Sequence, residues 1–307
     1  MKKILITGAG GFIGGHLVYE LRMHPEYLGL DTEVFLQVQR EKSAESLHLD
    51  GWSVVVGDLT NPELGTQLPD DLGCVLHIAG LAGGSAADLE KANVQATKNL
   101  LRSMEIRHIS ELVFMSTVAV YKESESPISE EDEISPSSAY GHSKYAAELL
   151  IRERVDVKTL RSAIILRSNN IYGPGSDHGM VAAFIKAVRG GEPILLDGDG
   201  SQVREPVYVD DVVGAIKASL QKDGTGCAVY NISGSEAVTI ADLAKRIHAI
   251  AGKEIRVMPS GKPPVPPLSL RLDISKARQE LGWQPQVRLE DGLKKTWESM
   301  IYESTGL

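Results

Sequence analysis

Across 307 residues the chain sets 32 Lys and Arg against 41 Asp and Glu, a net charge of −9 with no basic block. That speaks against a nucleic-acid partner, because phosphate binding draws on clustered cations. A hydrophobic share of 42% beside 24% charged residues fits a folded chain long enough for one α/β domain, or for a domain with a smaller lobe. The two cysteines, Cys74 and Cys227, lack the spacing of a zinc site or disulfide framework and suit a reducing cytoplasm.

The start, MKKILITGAGGFIGGHL, superficially resembles a leader peptide. Its apolar run is broken by glycines and no convincing cleavage site follows, so the better reading is strand, tight turn, helix, the helix running over about residues 12–23. Apolar runs at 34–38, 53–56, 74–78, 112–115 and 162–166 read as further strands, with helical patterns at 86–107 and 139–155. Strands alternating with helices imply parallel pairing through crossovers, hence a doubly wound α/β fold covered on both faces. Past residue 167 the texture changes to a Gly/Pro-rich NNIYGPGSDHG, a helix near 181–188, a hairpin-like GEPILLDGDG and the cluster KPPVPPL. No stretch is long and apolar enough for a membrane span.

Gly8, Gly11 and Gly14 in GAGGFIG stand directly after a strand and open a helix. Glycine permits the tight turn and lets backbone N–H groups approach a pyrophosphate, which a helix N-terminus also favours. Gly8, Gly11, Phe12, Ile13 and Gly14 are therefore the expected dinucleotide cradle. A ribose-binding acid would sit at the end of the second strand, where the chain offers Gln37, Gln39 and Arg40; Glu33 lies at the wrong end. Arg40 could hold a 2′-phosphate, which leans toward NADP(H) and leaves NAD(H) open. Asp58 and Leu59 in GDL, with Ala79 and Gly80 in HIAG, end apolar runs on the ligand-binding side of such a sheet. Asp58 could accept from the adenine amino group or simply form the turn. The expected division is a dinucleotide-binding Rossmann domain from 1–166 and 207–232, with a smaller substrate-binding α/β lobe from 167–206 and 233–307.

In SAYGHSKYAAELL, Tyr140 and Lys144 lie four residues apart at a helix start, so they are neighbours on one face. A lysine cation beside a phenol favours phenolate, one way to make a base from tyrosine. A plain contact on a solvated face is the rival reading.

Taken together, GAGGFIG, GDL, HIAG, NVQATKNLL, VFMSTVAVY, YGHSK, RSNNIYGPG, GDGSQVREPVYVDD, YNISG and DISKARQELGWQP resemble the extended short-chain dehydrogenase/reductases, in their nucleotide-sugar epimerase/dehydratase branch. The resemblance runs nearly end to end. It implies a catalytic set of Thr117, Tyr140 and Lys144, the lysine bonding the nicotinamide ribose and, with the cationic ring, lowering the phenol pKa. It further implies Ser116 and Asn93 as supports on the cofactor side, and Asn170, Arg204 and Arg271 on the substrate side. An ion pair with Asp210 or Asp211 is the alternative for Arg204. Dehydratase relatives carry an Asp-Glu pair where Val118 and Ala119 stand, and neither of these can move a proton. The implied activity is an NAD(P)-dependent UDP-sugar 4-epimerase working through a transient keto sugar, without a metal. An NADPH-dependent keto-sugar reductase and a non-catalytic dinucleotide sensor are the alternatives. A homodimer through the helices at 86–107 and 139–155 is also implied.

Overall fold

A computed structural model describes residues 2–29, 31–45, 47, 51–254, 256–261 and 270–305; the KPPVPPL cluster lies outside them. The first elements are β1 (Lys2–Thr7), α1 (Phe12–Met23), β2 (Thr32–Val38), α2 (Glu41–Glu45), β3 (Ser53–Val56) and β4 (Leu72–His77). Next come α3 (Ala86–Leu89), a π-helical turn (Glu90–Gln95), α4 (Ala96–Ile106), β5 (Glu111–Thr117), α5 (Ala139–Asp156) and β6 (Ser162–Ser168). The remainder comprises β7 (Ile171–Tyr172), α6 (Gly179–Gly190), β8 (Ile194–Leu196), β9 (Val203–Arg204), β10 (Val207–Tyr208), α7 (Val209–Leu220) and β11 (Gly226–Ile232). It closes with β12 (Val238–Thr239), α8 (Ile240–Ala251), β13 (Val257–Pro259), α9 (Ser275–Glu280) and α10 (Leu289–Thr305).

Seven strands form one sheet in the order β11-β6-β5-β4-β1-β2-β3. The pairs β1–β2, β1–β4, β2–β3 and β4–β5 are parallel, as the doubly wound reading expects. Ile4, Leu5 and Ile6 of β1 are all buried, which is why that strand is a continuous apolar run rather than an alternating one. Leu100, Leu101 and Met104 of α4 and Ala147 and Ile151 of α5 join the same core as Leu5, Val75 and Phe114. The strand order reverses between β1 and β4. Ligands of such sheets bind outside the strand ends at that point, here Thr7 and His77.

The chain divides into two compact units, 1–122 with 133–167 and 215–230, and 123–132 with 168–214 and 231–307. Two stretches therefore fall elsewhere than the sequence reading placed them. Residues 123–132 go with the second unit because Ile128 N–H donates to Arg271 O and its carbonyl accepts from Asp273 N, both at 2.8 Å, while Glu130 Oε1 accepts Asn231 N at 2.7 Å. Val207–Tyr208 pairs with Ile171–Tyr172 instead of the main sheet, which is rejoined only by β11. GEPILLDGDG is not a hairpin, since Ile194–Leu196 pairs in parallel with Val257–Pro259 far along the chain. Among the described residues no helix is long and apolar enough to cross a membrane.

Candidate active site

Gly8 has φ +69°, a conformation a side chain rarely adopts, and a Cβ there would lie 2.7 Å from Ala79 Cα. A Cβ on Gly14 would fall 2.1 Å from Gly8 O, so helix and turn close on each other only with glycine. The α1 N-cap is Gly11, which supplies no side-chain cap, and the first-turn N–H groups are left for an anion. This cradle fits a dinucleotide pyrophosphate.

Gln37 is buried: its Oε1 accepts Gly8 N–H at 3.1 Å and its Nε2 donates to Gly57 O at 2.6 Å, tying the ends of β1, β2 and β3 together. Gln39 donates to Asp58 Oδ2 at 2.9 Å, while Arg40 is exposed. Burial works to raise the Asp58 pKa, but hydrogen bonds from Thr60 and Gln39 bring it below the ordinary carboxylate value. Asp58 thus serves its own turn, whatever it offers to adenine. The Leu59 side chain is packed in the core and its carbonyl accepts Asn99 Nδ2 at 3.0 Å, so it presents no side chain to a ligand.

Helix α5 starts where Ser138 Oγ accepts Gly141 N–H at 3.0 Å. Its buried stripe is polar, carrying Lys144 and Glu148 with Ala147 and Ile151. The Thr117 hydroxyl accepts Ala119 N–H at 3.2 Å and lies beside the Tyr140 phenol, where it acts to lower the phenol pKa. A hydroxyl proton donated to the phenol oxygen would favour phenolate. Lys144 Nζ sits 4.1 Å from the centre of the Phe114 ring, and burial, opposed by Glu148, lowers its pKa to about 7. Burial also raises the Tyr140 phenol above 10.0, Thr117 acting against it. The protein's own groups therefore raise the phenol pKa. The lowering implied by the resemblance needs the cationic nicotinamide as well, because a desolvated lysine is a weakened cation.

Ser116 and Phe114, two residues apart, share a strand face and both meet α5. Ser116 Oγ donates to Glu148 Oε1, and Glu148 also receives Arg167 Nη2 at 2.7 Å and Nε at 3.1 Å. Its hydroxyl thus takes part in a buried ion-pair cluster. Asn93 is likewise engaged with protein groups: its Oδ1 accepts Leu81 N–H at 2.8 Å and its Nδ2 donates to Leu81 O and Ser143 Oγ, each at 2.9 Å.

The family signature described as NAD dependent epimerase/dehydratase matches residues 4–233. The chain belongs to that family. It is 30% identical to a Bacillus subtilis protein described as an uncharacterized UDP-glucose epimerase, over 95% of each chain. Among solved structures it resembles the Bacillus cereus UDP-glucuronic acid 4-epimerase in complex with UDP-glucuronic acid and NAD, with TM-score 0.87, 28% identity and coverage of 98% and 99%. It equally resembles a Streptomyces venezuelae dTDP-glucose 4,6-dehydratase with NAD bound, with TM-score 0.88, 26% identity and coverage of 99% and 98%. Epimerase and dehydratase share this fold, so residues at the site must separate them.

For this family member the second unit holds the three substrate-side candidates. Arg204 is half-buried, donating to Val203 O at 2.8 Å and pairing with Glu123 at 3.4 Å. Asp211 accepts Gln286 N–H at 2.8 Å and Val287 N–H at 3.1 Å. Arg271 donates to Glu125 O at 2.9 Å and lines a cavity of about 450 Å³ with Glu125, Asp242 and Arg246. Asn170 is held by its backbone, accepting from Val207 N at 3.0 Å. Sequence reasoning missed Phe114, Glu148 and Arg167. Glu148 was findable, lying at i, i+4 and i+8 with Tyr140 and Lys144.

Proposed function

We propose that the chain is an NAD-dependent UDP-sugar 4-epimerase, with Thr117, Tyr140 and Lys144 as its catalytic set. What carries this reading is Thr117 beside the Tyr140 phenol, with buried Lys144 one turn further along α5 and Val118 and Ala119 following where an acid pair would be needed for dehydration. Tyr140 as phenolate takes the proton of the sugar 4-hydroxyl, and Thr117 donates to that same oxygen and orients it. Lys144 binds the ribose and stabilises the phenolate. A bound dinucleotide supplies the hydride acceptor and donor at carbon 4. Neither Val118 nor Ala119 can transfer a proton, so loss of water from the neighbouring carbons is unassisted there. Arg204, with Asn170 and Arg271, holds the diphosphate of the substrate, a task that the planar guanidinium suits.

Incubation with UDP-glucose or UDP-galactose and catalytic NAD should give interconversion by NMR without net dinucleotide turnover. Stoichiometric NADPH consumption with a keto sugar would instead select the reductase reading, which the exposed Arg40 after β2 favours. A homodimer and a cytoplasmic location accompany the proposal. Exposed Ile106 on α4 and Leu149 on α5 give the helices apolar surface for a partner, and a monomer mass in sedimentation would remove the dimer.

A further inference from the structure

Beneath the glycine turn lies a chain of buried polar groups whose hydrogen bonds leave one arrangement of protons. Thr97 Oγ1 donates its only proton to Asn93 O at 2.6 Å. The 3.0 Å contact between Thr97 Oγ1 and His77 Nε2 must then use a proton on the imidazole. His77 Nδ1 is consequently an acceptor, taking the proton of Thr7 Oγ1 at 2.8 Å. Thr7 Oγ1 in turn accepts from Ile78 N at 3.2 Å and Ala79 N at 3.3 Å, so every role agrees. Onward from Thr97, Asn93 Nδ2 reaches Ser143 Oγ at 2.9 Å, and Ser143 Oγ donates to Tyr140 O at 2.9 Å. Thr7, His77, Asn93, Thr97 and Ser143 are all buried.

We propose that His77 is a positioning residue: as the neutral tautomer protonated on Nε2, it locks the strand end carrying the glycine turn to the π-helical turn carrying Asn93, and so to the α5 turn carrying Tyr140. A π-helical turn is an uncommon, costly feature that often marks a functional position, and here it carries Asn93, whose carbonyl takes the proton of Thr97. Burial, reinforced by the nearby Lys144 charge, lowers the imidazole pKa to about 3, which keeps the ring neutral. Two elements of the reaction, the cofactor turn and the phenol, are thereby held in one register by a single side chain. The role rests on the reaction proposed above, whereas the tautomer does not.

Long-range ¹H–¹⁵N spectra of the full-length protein should show His77 as the Nε2–H tautomer, unchanged from about pH 5.5 to 8.5, the interval in which a solvated histidine titrates. An Nδ1–H form or an imidazolium in that interval overturns the proposal. In kinetics, His77→Leu should lower kcat by about 10²-fold, the cost of misplacing reacting groups by about 1 Å, with the sugar-nucleotide KM held within about threefold. His77→Gln, which keeps a donor toward Thr97, should recover about tenfold of that loss. Wild-type kcat in folded His77→Leu, or a loss carried by KM alone, overturns it. Should His77→Leu not fold, Thr97→Val removes the acceptor while keeping the shape, and kcat should fall about tenfold with KM held; an unchanged kcat overturns the proposal. A wild-type protein inactive on UDP-sugars refutes the reaction instead. In that case NAD binding decides His77, with several-fold weaker affinity expected in His77→Leu and unchanged affinity contradicting the role.

Discussion

Tyr140→Phe is expected to lower kcat by about 10²–10⁴-fold, the span that positioned acid–base groups contribute. The phenol is the group that, in the proposed reaction, takes and returns the sugar proton, and Thr117 lies beside it. Phenylalanine keeps the ring and leaves the N-cap of α5 untouched, because Ser138 caps through Gly141 N–H. NAD affinity should therefore stay within about twofold, separating chemistry from binding. Activity within about tenfold of wild type would remove Tyr140 as the base.

Glu148→Ala is expected to cost about 3–5 kcal/mol of stability, read as a fall in the urea midpoint. Arg167 is 1% exposed, its Nη2 and Nε are both bonded to Glu148, and its Nη1 has no hydrogen-bond partner among the described residues. Removing the carboxylate leaves a buried guanidinium without its anionic partner, the Tyr121 ring lying 4.7 Å away. Ser116 loses its acceptor too. The cost belongs to the uncompensated charge rather than to the pair, so the double variant Glu148→Met/Arg167→Met should recover most of it. A single-variant loss below about 1 kcal/mol would show that water reaches Arg167.

Much of this molecule can be read before any coordinates. The glycine turn is legible because Gly8 and Gly14 answer steric demands that no other residue meets. The parallel sheet is legible because strands buried on both faces are apolar throughout. What escaped depends on distant partners. The segment around Ile194 carries turn-like glycines that suggest a hairpin, yet its strand pairs with Val257–Pro259. The bond from Ser116 to Glu148, which lies on a different element, is another contact that the sequence does not reveal. The Tyr140 pKa is misjudged from spacing alone, since spacing gives the lysine neighbour but not the desolvation that raises the phenol and weakens the cation. His77 shows the same limit, as Thr7 and Thr97 surround it from separate parts of the chain.

At the centre stands a hydride that leaves carbon 4 of a UDP-sugar and returns to the same carbon, with Tyr140 moving the accompanying proton. UDP-glucose deuterated at carbon 4, incubated with wild-type protein and catalytic NAD in ordinary water, tests this directly. UDP-galactose that retains the deuterium at carbon 4 is the predicted product. Deuterium washed out into solvent, or no product until NADPH is supplied in stoichiometric amount, would contradict it.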